Sequence, residues 1–391
     1  MPDRLMLPPA PVIRVSPERV RLDTKFVTGM QTICETWPGR VDCVLREGVD
    51  SIPFDAEYDV ADLPFGLRLL PEGSAVDEAV LQEYDVIEAS GDLHLDLHLA
   101  EAARRLKTRI VYVVEYDLNT RLQILRLDRS TSLPQKLKSG IWTLQQERLR
   151  RKAFGLADGL QVNGFPAFDS YSGYSDDTLL FLDNRMRREM FARKADLADR
   201  DARLRRGAPL RLINSGRLET MKGAQDLVPL ARALNDRGVN FTLDIYGAGS
   251  LRSEISDGIA RYELAEVVRL HEPVDFETEL VPISRSAADV FLSCHRQSDP
   301  SCTYIEAMGC GLPVVGYAND MLARLMEDAK AGWTVPLGDV PALADRIAGI
   351  ARDPDEIHRA SVAALSYAAR HDFETEFAKR RDHLIGVGGR A

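Results

Sequence analysis

Short apolar runs alternate with stretches of helical periodicity along most of this chain, and that order predicts parallel βαβ units. In the first half, Val41–Leu45, Gly66–Leu70, Asp85–Ala89, Ile110–Tyr116 and Gly159–Val162 read as strands, and Arg19–Thr36, Leu95–Leu106 and Lys136–Phe154 as helices. Between Asp176 and Arg206 the chain becomes densely charged (RMRREM, then DLADRDARLRRG) and Ala208-Pro209 ends the stretch, which predicts an exposed helix and a domain linker. The second half repeats the pattern more cleanly. Its strands are Leu210–Ser215, Thr242–Tyr246, Val267–Leu270, Val290–Ser293 and Pro313–Val315, with helices starting near Gly223, Leu251, Phe276, Thr303 and Met321. A surface helix is expected over Pro341–Ala351, then a helical tail over Ile357–Ile385 broken at His371-Asp372.

Two similar α/β halves with a cleft between them are the simplest architecture, and 391 residues suffice for both. Open parallel sheets bind ligands beyond the carboxyl ends of their strands. Hydrophobic residues make up 45% and charged residues 28%, as in globular proteins, and the net charge of −10 argues against a nucleic-acid binder. Five cysteines without a CxxC pair or zinc spacing fit reduced thiols. No run reaches the length of a membrane span, and the first residues lack the basic-then-apolar order of a signal peptide, so a cytoplasmic protein is expected.

The most informative segment runs from Ser293 to Tyr317: a strand end, a polar loop, a helix carrying Glu306, a Cys-Gly stop and a second strand. Amides at the helix start, around Ser301, Cys302 and Thr303, suit phosphate, with Thr303 as cap, and the Glu306 carboxylate suits ribose hydroxyls. As an isolated residue, Glu306 is equally an ordinary acid favouring a helix dipole. At another strand-to-helix turn, Ser215-Gly216-Arg217-Leu218 precedes Lys222-Gly223. Arg217 offers a planar fork and Lys222 a point charge to a leaving diphosphate, which gains charge as its bond breaks. Tyr246-Gly247-Ala248-Gly249 forms a turn bordering the same region, structural or ligand-binding at Gly247 with equal force. Together these predict a nucleoside diphosphate held at strand ends.

SGRLETMKG, DIYGAGS and IEAMGCGLPVVGY resemble the retaining glycosyltransferases of family 4, specifically over Leu210–Asp339 and faintly before residue 200. The resemblance implies the GT-B fold: residues 1–200 as a divergent acceptor-binding Rossmann-like domain, 207–365 as the nucleotide-sugar-binding one, and 366–391 as a helix returning to the first. It implies a UDP-, GDP- or ADP-linked sugar as donor, a carbohydrate or lipid-linked acceptor in surface polysaccharide or glycolipid synthesis, and no essential metal or other cofactor. By motif match, Gly216, Arg217 and Lys222 would hold the diphosphate, and Glu306 the ribose.

The chain departs from that pattern in places. Where the family often has Glu followed by Gly-Phe-Gly, this chain has Ser298-Asp299-Pro300-Ser301, leaving Asp299 to take the sugar contact. The expected first strand is short or missing, with no glycine-rich loop after it. Glu115 stands where a histidine is common and becomes the candidate for orienting the acceptor hydroxyl, with pairing to Arg109 or Arg121 as its plain alternative. Glu88 and His94 are further candidates. From Arg121 to Lys152 basic residues (Arg121, Arg126, Arg129, Lys136, Lys138, Arg148, Arg150, Arg151, Lys152) interleave with Leu133, Leu137, Ile141, Trp142 and Leu144, the composition of a solvated helix or of one lying on an anionic membrane. Rival readings are a degenerate GT-B protein that binds a nucleotide or partner enzyme, a nucleotide-sugar epimerase, and a sugar phosphorylase.

Overall fold

The structure, a computed structural model, describes residues 2–52, 55–128 and 130–389; Arg129 of the basic stretch lies outside them. The chain divides into two compact units. Unit 1 comprises Met1–Leu118, Ile141–Phe181 and Phe377–Ala391; unit 2 comprises Asn119–Gly140 and Leu182–Glu376.

Chain order through the first half is β1 (Arg4–Leu7), β2 (Val12–Arg14), β3 (Arg19–Asp23), α1 (Thr24–Thr36), β4 (Val41–Arg46), β5 (Asp55–Asp59), β6 (Gly66–Leu70), β7 (Val86–Ser90), α2 (Leu99–Leu106), β8 (Arg109–Val114), α3 (Leu118–Leu127), α4 (Leu133–Phe154), β9 (Gly159–Asn163), α5 (Phe165–Tyr171) and β10 (Thr178–Phe181). The main sheet of unit 1 is parallel, in the order β10-β9-β8-β7-β1-β4-β6. The first strand, expected to be short or missing, is present and short, as the four-residue β1 between β7 and β4. All four of its residues are buried, so it lacks the polar alternation that marks a half-exposed strand. Arg4 tolerates that burial by pairing with Glu88.

The expected helix Arg19–Thr36 is also corrected. Its first five residues form β3, whose Val20 and Leu22 are buried between outward-facing arginines, a period of two. β3 lies between β2 and β5 in a small antiparallel sheet. Asp23 ends it and caps α1 by accepting from the Phe26 amide at 3.1 Å.

The second half runs α6 (Lys194–Arg205), β11 (Leu210–Ser215), α7 (Leu227–Asp236), β12 (Phe241–Tyr246), α8 (Arg252–Arg261), β13 (Val268–His271), α9 (Val281–Ala287), β14 (Val290–Ser293), α10 (Thr303–Gly309), β15 (Val314–Tyr317), α11 (Asp320–Ala329), β16 (Gly332–Val335), α12 (Val340–Ile350), α13 (Pro354–Ala368) and α14 (Phe373–Gly388). Unit 2 has a six-stranded parallel sheet in the order β13-β12-β11-β14-β15-β16. The pattern missed β16 and misjudged two helices. The exposed linker helix is α6, which buries Leu197, Arg200 and Leu204; Arg200 donates to the Ala288 carbonyl at 3.0 Å and to that of Gly311. The expected surface helix is α12, which buries Leu343, Ala344, Ile347, Ala348 and Ile350. Both units are thus Rossmann-like α/β layers, the arrangement of the GT-B fold.

Candidate functional site

β11 pairs with β12 on one side and with β14 on the other, and the chain order reverses there. That is a topological switch point, where loops diverge and leave a crevice at the carboxyl edge of the sheet. The loop after β11 carries Gly216, Arg217 and Lys222, the loop after β12 carries Gly247, and the loop after β14 carries His295 to Cys302. The sequence-predicted residues of this half therefore leave three adjacent strands.

Two glycines are required by close backbone approach. A Cβ on Gly223, whose φ is +69°, would stand 1.7 Å from the Cys294 carbonyl oxygen. One on Gly247 would stand 2.0 Å from the carbonyl oxygen of Gly216. Gly247 thus has a demonstrable structural reason: it lets the β11 and β12 loops touch, with the Leu218 amide donating to the Ala248 carbonyl at 2.8 Å.

Lys222 sits on a short 3₁₀ turn and its ammonium pairs with Asp299 Oδ2. Both side chains are about one-tenth exposed. Asp299 Oδ1 is buried and accepts no hydrogen bond among the described residues. Such an atom costs free energy unless something fills the vacant acceptor position. Arg217 is exposed, and no side-chain partner of it occurs among the described residues. One cation is therefore held by a carboxylate while the other is unengaged.

Beneath this pair lies a buried polar network. His295 Nδ1 is 3.2 Å from the Tyr304 hydroxyl, which also lies 3.3 Å from Ser293 Oγ, and Asn319 donates to the His295 carbonyl at 3.1 Å. Burial, reinforced by the Lys222 charge, pushes the His295 imidazole down to about 3. The ring is neutral at ordinary pH and adds no third positive charge under the two cations.

Glu306 is buried on α10 and does not stand alone. Arg185 Nε donates to Oε1 at 2.7 Å and Nη2 to Oε2 at 3.0 Å, a fork that fixes the carboxylate plane. The Arg185 guanidinium carbon lies 3.8 Å from the centroid of the Phe276 ring. Ser215, Phe276, Thr303 and Glu306 line one small cavity. The expected Thr303 cap is corrected: Cys302 occupies the cap position, its side chain making no capping hydrogen bond, and Thr303 Oγ1 is 2.9 Å from Ser301 Oγ. α10 spans only seven residues, so its dipole is a minor contribution.

Other candidates have different settings. Ser298, where the family often has Glu, is absorbed in structure: its hydroxyl donates to Asp320 Oδ2 at 3.0 Å, and its amide donates to Gln123 at 2.8 Å. Glu88 is corrected from a site candidate to a buried tie between Arg4 and Arg380. Burial pushes its carboxyl up, but the two guanidiniums outweigh this and hold it below the usual carboxylate range. His94 packs edge-on against Trp142 at 5.2 Å. Glu115 lies in unit 1 beyond β8, where its carboxylate accepts from Asn163 at 2.8 Å and its amide donates to Asp92 at 2.8 Å. Its anticipated partner Arg109 pairs with Asp158 at 2.8 Å. Arg150 of the basic stretch is buried, donating to the Gly91 carbonyl at 2.8 Å and to Glu147. Sequence reasoning missed Arg185 and Phe276, which lie in segments read as a linker and as a helix start.

Comparison with known proteins concerns chiefly this unit. Residues 197–371 match the family described as Glycosyl transferases group 1, a region inside unit 2. WcaL of Escherichia coli K12, a glycosyltransferase assigned to colanic acid biosynthesis, is 31% identical over 185 residues, covering 44% of this chain and 43% of WcaL. The amylovoran biosynthesis glycosyltransferase AmsK of Erwinia amylovora is 31% identical over 182 residues, covering 43% of this chain and 41% of AmsK. The match thus spans less than half the length of these curated relatives. The crystal structure of Anabaena HepE in complex with UDP superposes with a TM-score of 0.66 at 14% identity, covering 99% of this chain and 100% of HepE. At that identity the likeness is one of fold.

Proposed function

We propose that this chain is a glycosyltransferase that moves a hexose from a nucleoside-diphosphate sugar to a hydroxyl acceptor with retention, in the synthesis of a surface polysaccharide or glycolipid. The observation that carries this reading is the trio at the switch point of unit 2: exposed Arg217, and Lys222 paired with an Asp299 whose Oδ1 is buried without a partner among the described residues. The group 1 match over the same unit supports it, as do the polysaccharide assignments of WcaL and AmsK.

In this reading Arg217 and Lys222 meet the diphosphate, Glu306 the ribose, and Asp299 Oδ1 accepts from a sugar hydroxyl. The bond from the sugar's anomeric carbon to the phosphate oxygen breaks. The charge left on the diphosphate falls on the two cations, which stabilise the transition state more than the ground state. The acceptor oxygen attacks from the same face and its proton passes to the departing phosphate oxygen, so no protein base is required there. Glu115 then has the task of orienting the acceptor. With two cations for the phosphates, no metal is needed. α4 exposes Leu133, Leu137, Ile141, Trp142, Leu144 and Leu149 among Lys136, Lys138, Arg148 and Arg151, a composition suited to an anionic membrane and hence to a lipid-linked acceptor.

The test is release of nucleoside diphosphate from a panel of UDP-, GDP- and ADP-hexoses in the presence of EDTA, with and without saccharide and lipid-linked acceptors. The expected result is release from one donor that depends on an acceptor, with the anomeric configuration kept in the product. Conversion of a donor without any acceptor would instead indicate an epimerase, and no conversion of any donor a binding protein.

A further inference from the structure

Arg185 lies outside the region where the chain's motifs concentrate, yet it makes the tightest contact to the proposed ribose carboxylate. A glutamate side chain has three rotatable bonds, and a single hydrogen bond would leave its carboxylate free to swing. The two donors of Arg185, at 2.7 and 3.0 Å, hold both oxygens at once. Each oxygen retains capacity to accept a second hydrogen bond. The guanidinium is itself packed, its carbon lying over the Phe276 ring 3.8 Å from the centroid. Phe276 begins a turn that Asp275 fixes by accepting from the Thr278 amide at 2.8 Å. A chain of contacts therefore runs from a capped turn through an aromatic ring and a guanidinium to the carboxylate.

We propose that Arg185 is a positioning residue for donor recognition: lying over Phe276, it presents the Glu306 carboxylate in one fixed orientation to the vicinal hydroxyls of a ribose. Arg185 thereby sets the preference of the site for ribonucleoside over 2′-deoxyribonucleoside diphosphates. The inference rests on the reading of Glu306 as the ribose residue. It goes beyond that reading by naming what makes Glu306 selective. A site built to hydrogen-bond a hydroxyl rejects the analogue lacking it only when its own polar groups cannot move to other partners. The fork on Glu306 supplies that restraint. Lysine keeps the charge but not the two-donor fork, so charge and orientation can be separated.

The experiment is calorimetric titration with UDP, GDP and ADP, each beside its 2′-deoxy form, on wild type, Arg185→Ala, Arg185→Lys, Glu306→Ala and the Arg185→Ala/Glu306→Ala double variant. The wild type is expected to prefer the ribo form of its nucleotide by roughly tenfold or more, the worth of a hydrogen bond to a charged group. Arg185→Ala lowers that ratio toward unity, and Arg185→Lys leaves it intermediate. The double variant, which has no unpaired buried carboxylate and so keeps the test independent of folding losses, gives the same ratio as Glu306→Ala. An unchanged ratio in Arg185→Ala, with a collapsed ratio in Glu306→Ala, would overturn the role of Arg185 and leave the ribose reading standing. An unchanged ratio in Glu306→Ala would overturn both. A further loss of ribo-form affinity in the double variant relative to Glu306→Ala would show that Arg185 touches the nucleotide itself, which also overturns the positioning role.

Discussion

Lys222→Ala is expected to lower the turnover number by ~10²–10³, the usual consequence of removing one preorganised group that meets developing charge. The ammonium also neutralises Asp299, and both side chains are nearly buried. Removing only the lysine leaves a buried carboxylate without its counter-charge, at a stability cost of about 3 kcal/mol. The activity loss must therefore be separated from misfolding. Removing both charges in Lys222→Ala/Asp299→Ala is expected to restore most of the denaturation midpoint but none of the activity, because the diphosphate still lacks its cation. Steady-state turnover and urea midpoints on both variants measure the two effects. Recovery of activity together with stability in the double variant would mean that Lys222 serves the fold alone.

Gly223→Ala produces the largest expected change in stability. A left-handed φ of +69° costs a non-glycine residue about 1–2 kcal/mol. The added Cβ would in addition stand 1.7 Å from the Cys294 carbonyl oxygen, in backbone that cannot yield without moving the β14 loop. The sum exceeds ~3 kcal/mol, among the larger effects of a single substitution. Gly238 is the matched control: its φ is +65°, and a Cβ added there would meet nothing within 4 Å. Gly238→Ala therefore carries the φ cost alone. Equal urea midpoints for the two variants would contradict the close approach of the β11 and β14 loops on which the site depends.

The strands of unit 2 other than β16 were legible because their apolar runs are bounded by glycine turns and charged helices. Leu210–Ser215 and Val290–Ser293 match the expected residues at both ends. β1 was not legible: it has only four residues, begins with an arginine, and is buried on both faces, so neither length nor alternation marks it. α6 misled for a different reason. Its charged composition suggests a solvated linker, whereas Arg200 is buried and spends its donors on main-chain carbonyls. Arg217 and Lys222 could be singled out because they follow β11 in a strand-to-helix turn, and Asp299 because it stands one residue from the place of the family's Glu. Arg185 was not, because its partner Glu306 is 121 residues away and no local spacing joins them. Glu88 was expected at a site for the converse reason, since a carboxylate near a strand end looks the same whether it meets a ligand or two arginines.

The most direct test of the central claim, a nucleoside-diphosphate site in unit 2, is thermal stabilisation of wild type and Arg217→Ala by UDP, GDP and ADP in EDTA. Arg217 is exposed, so its removal leaves the fold intact. One diphosphate is expected to raise the wild-type melting temperature by several degrees, as saturating ligand does by mass action, and to shift Arg217→Ala far less. No shift with any of the three, or an equal shift in wild type and Arg217→Ala, would contradict the account.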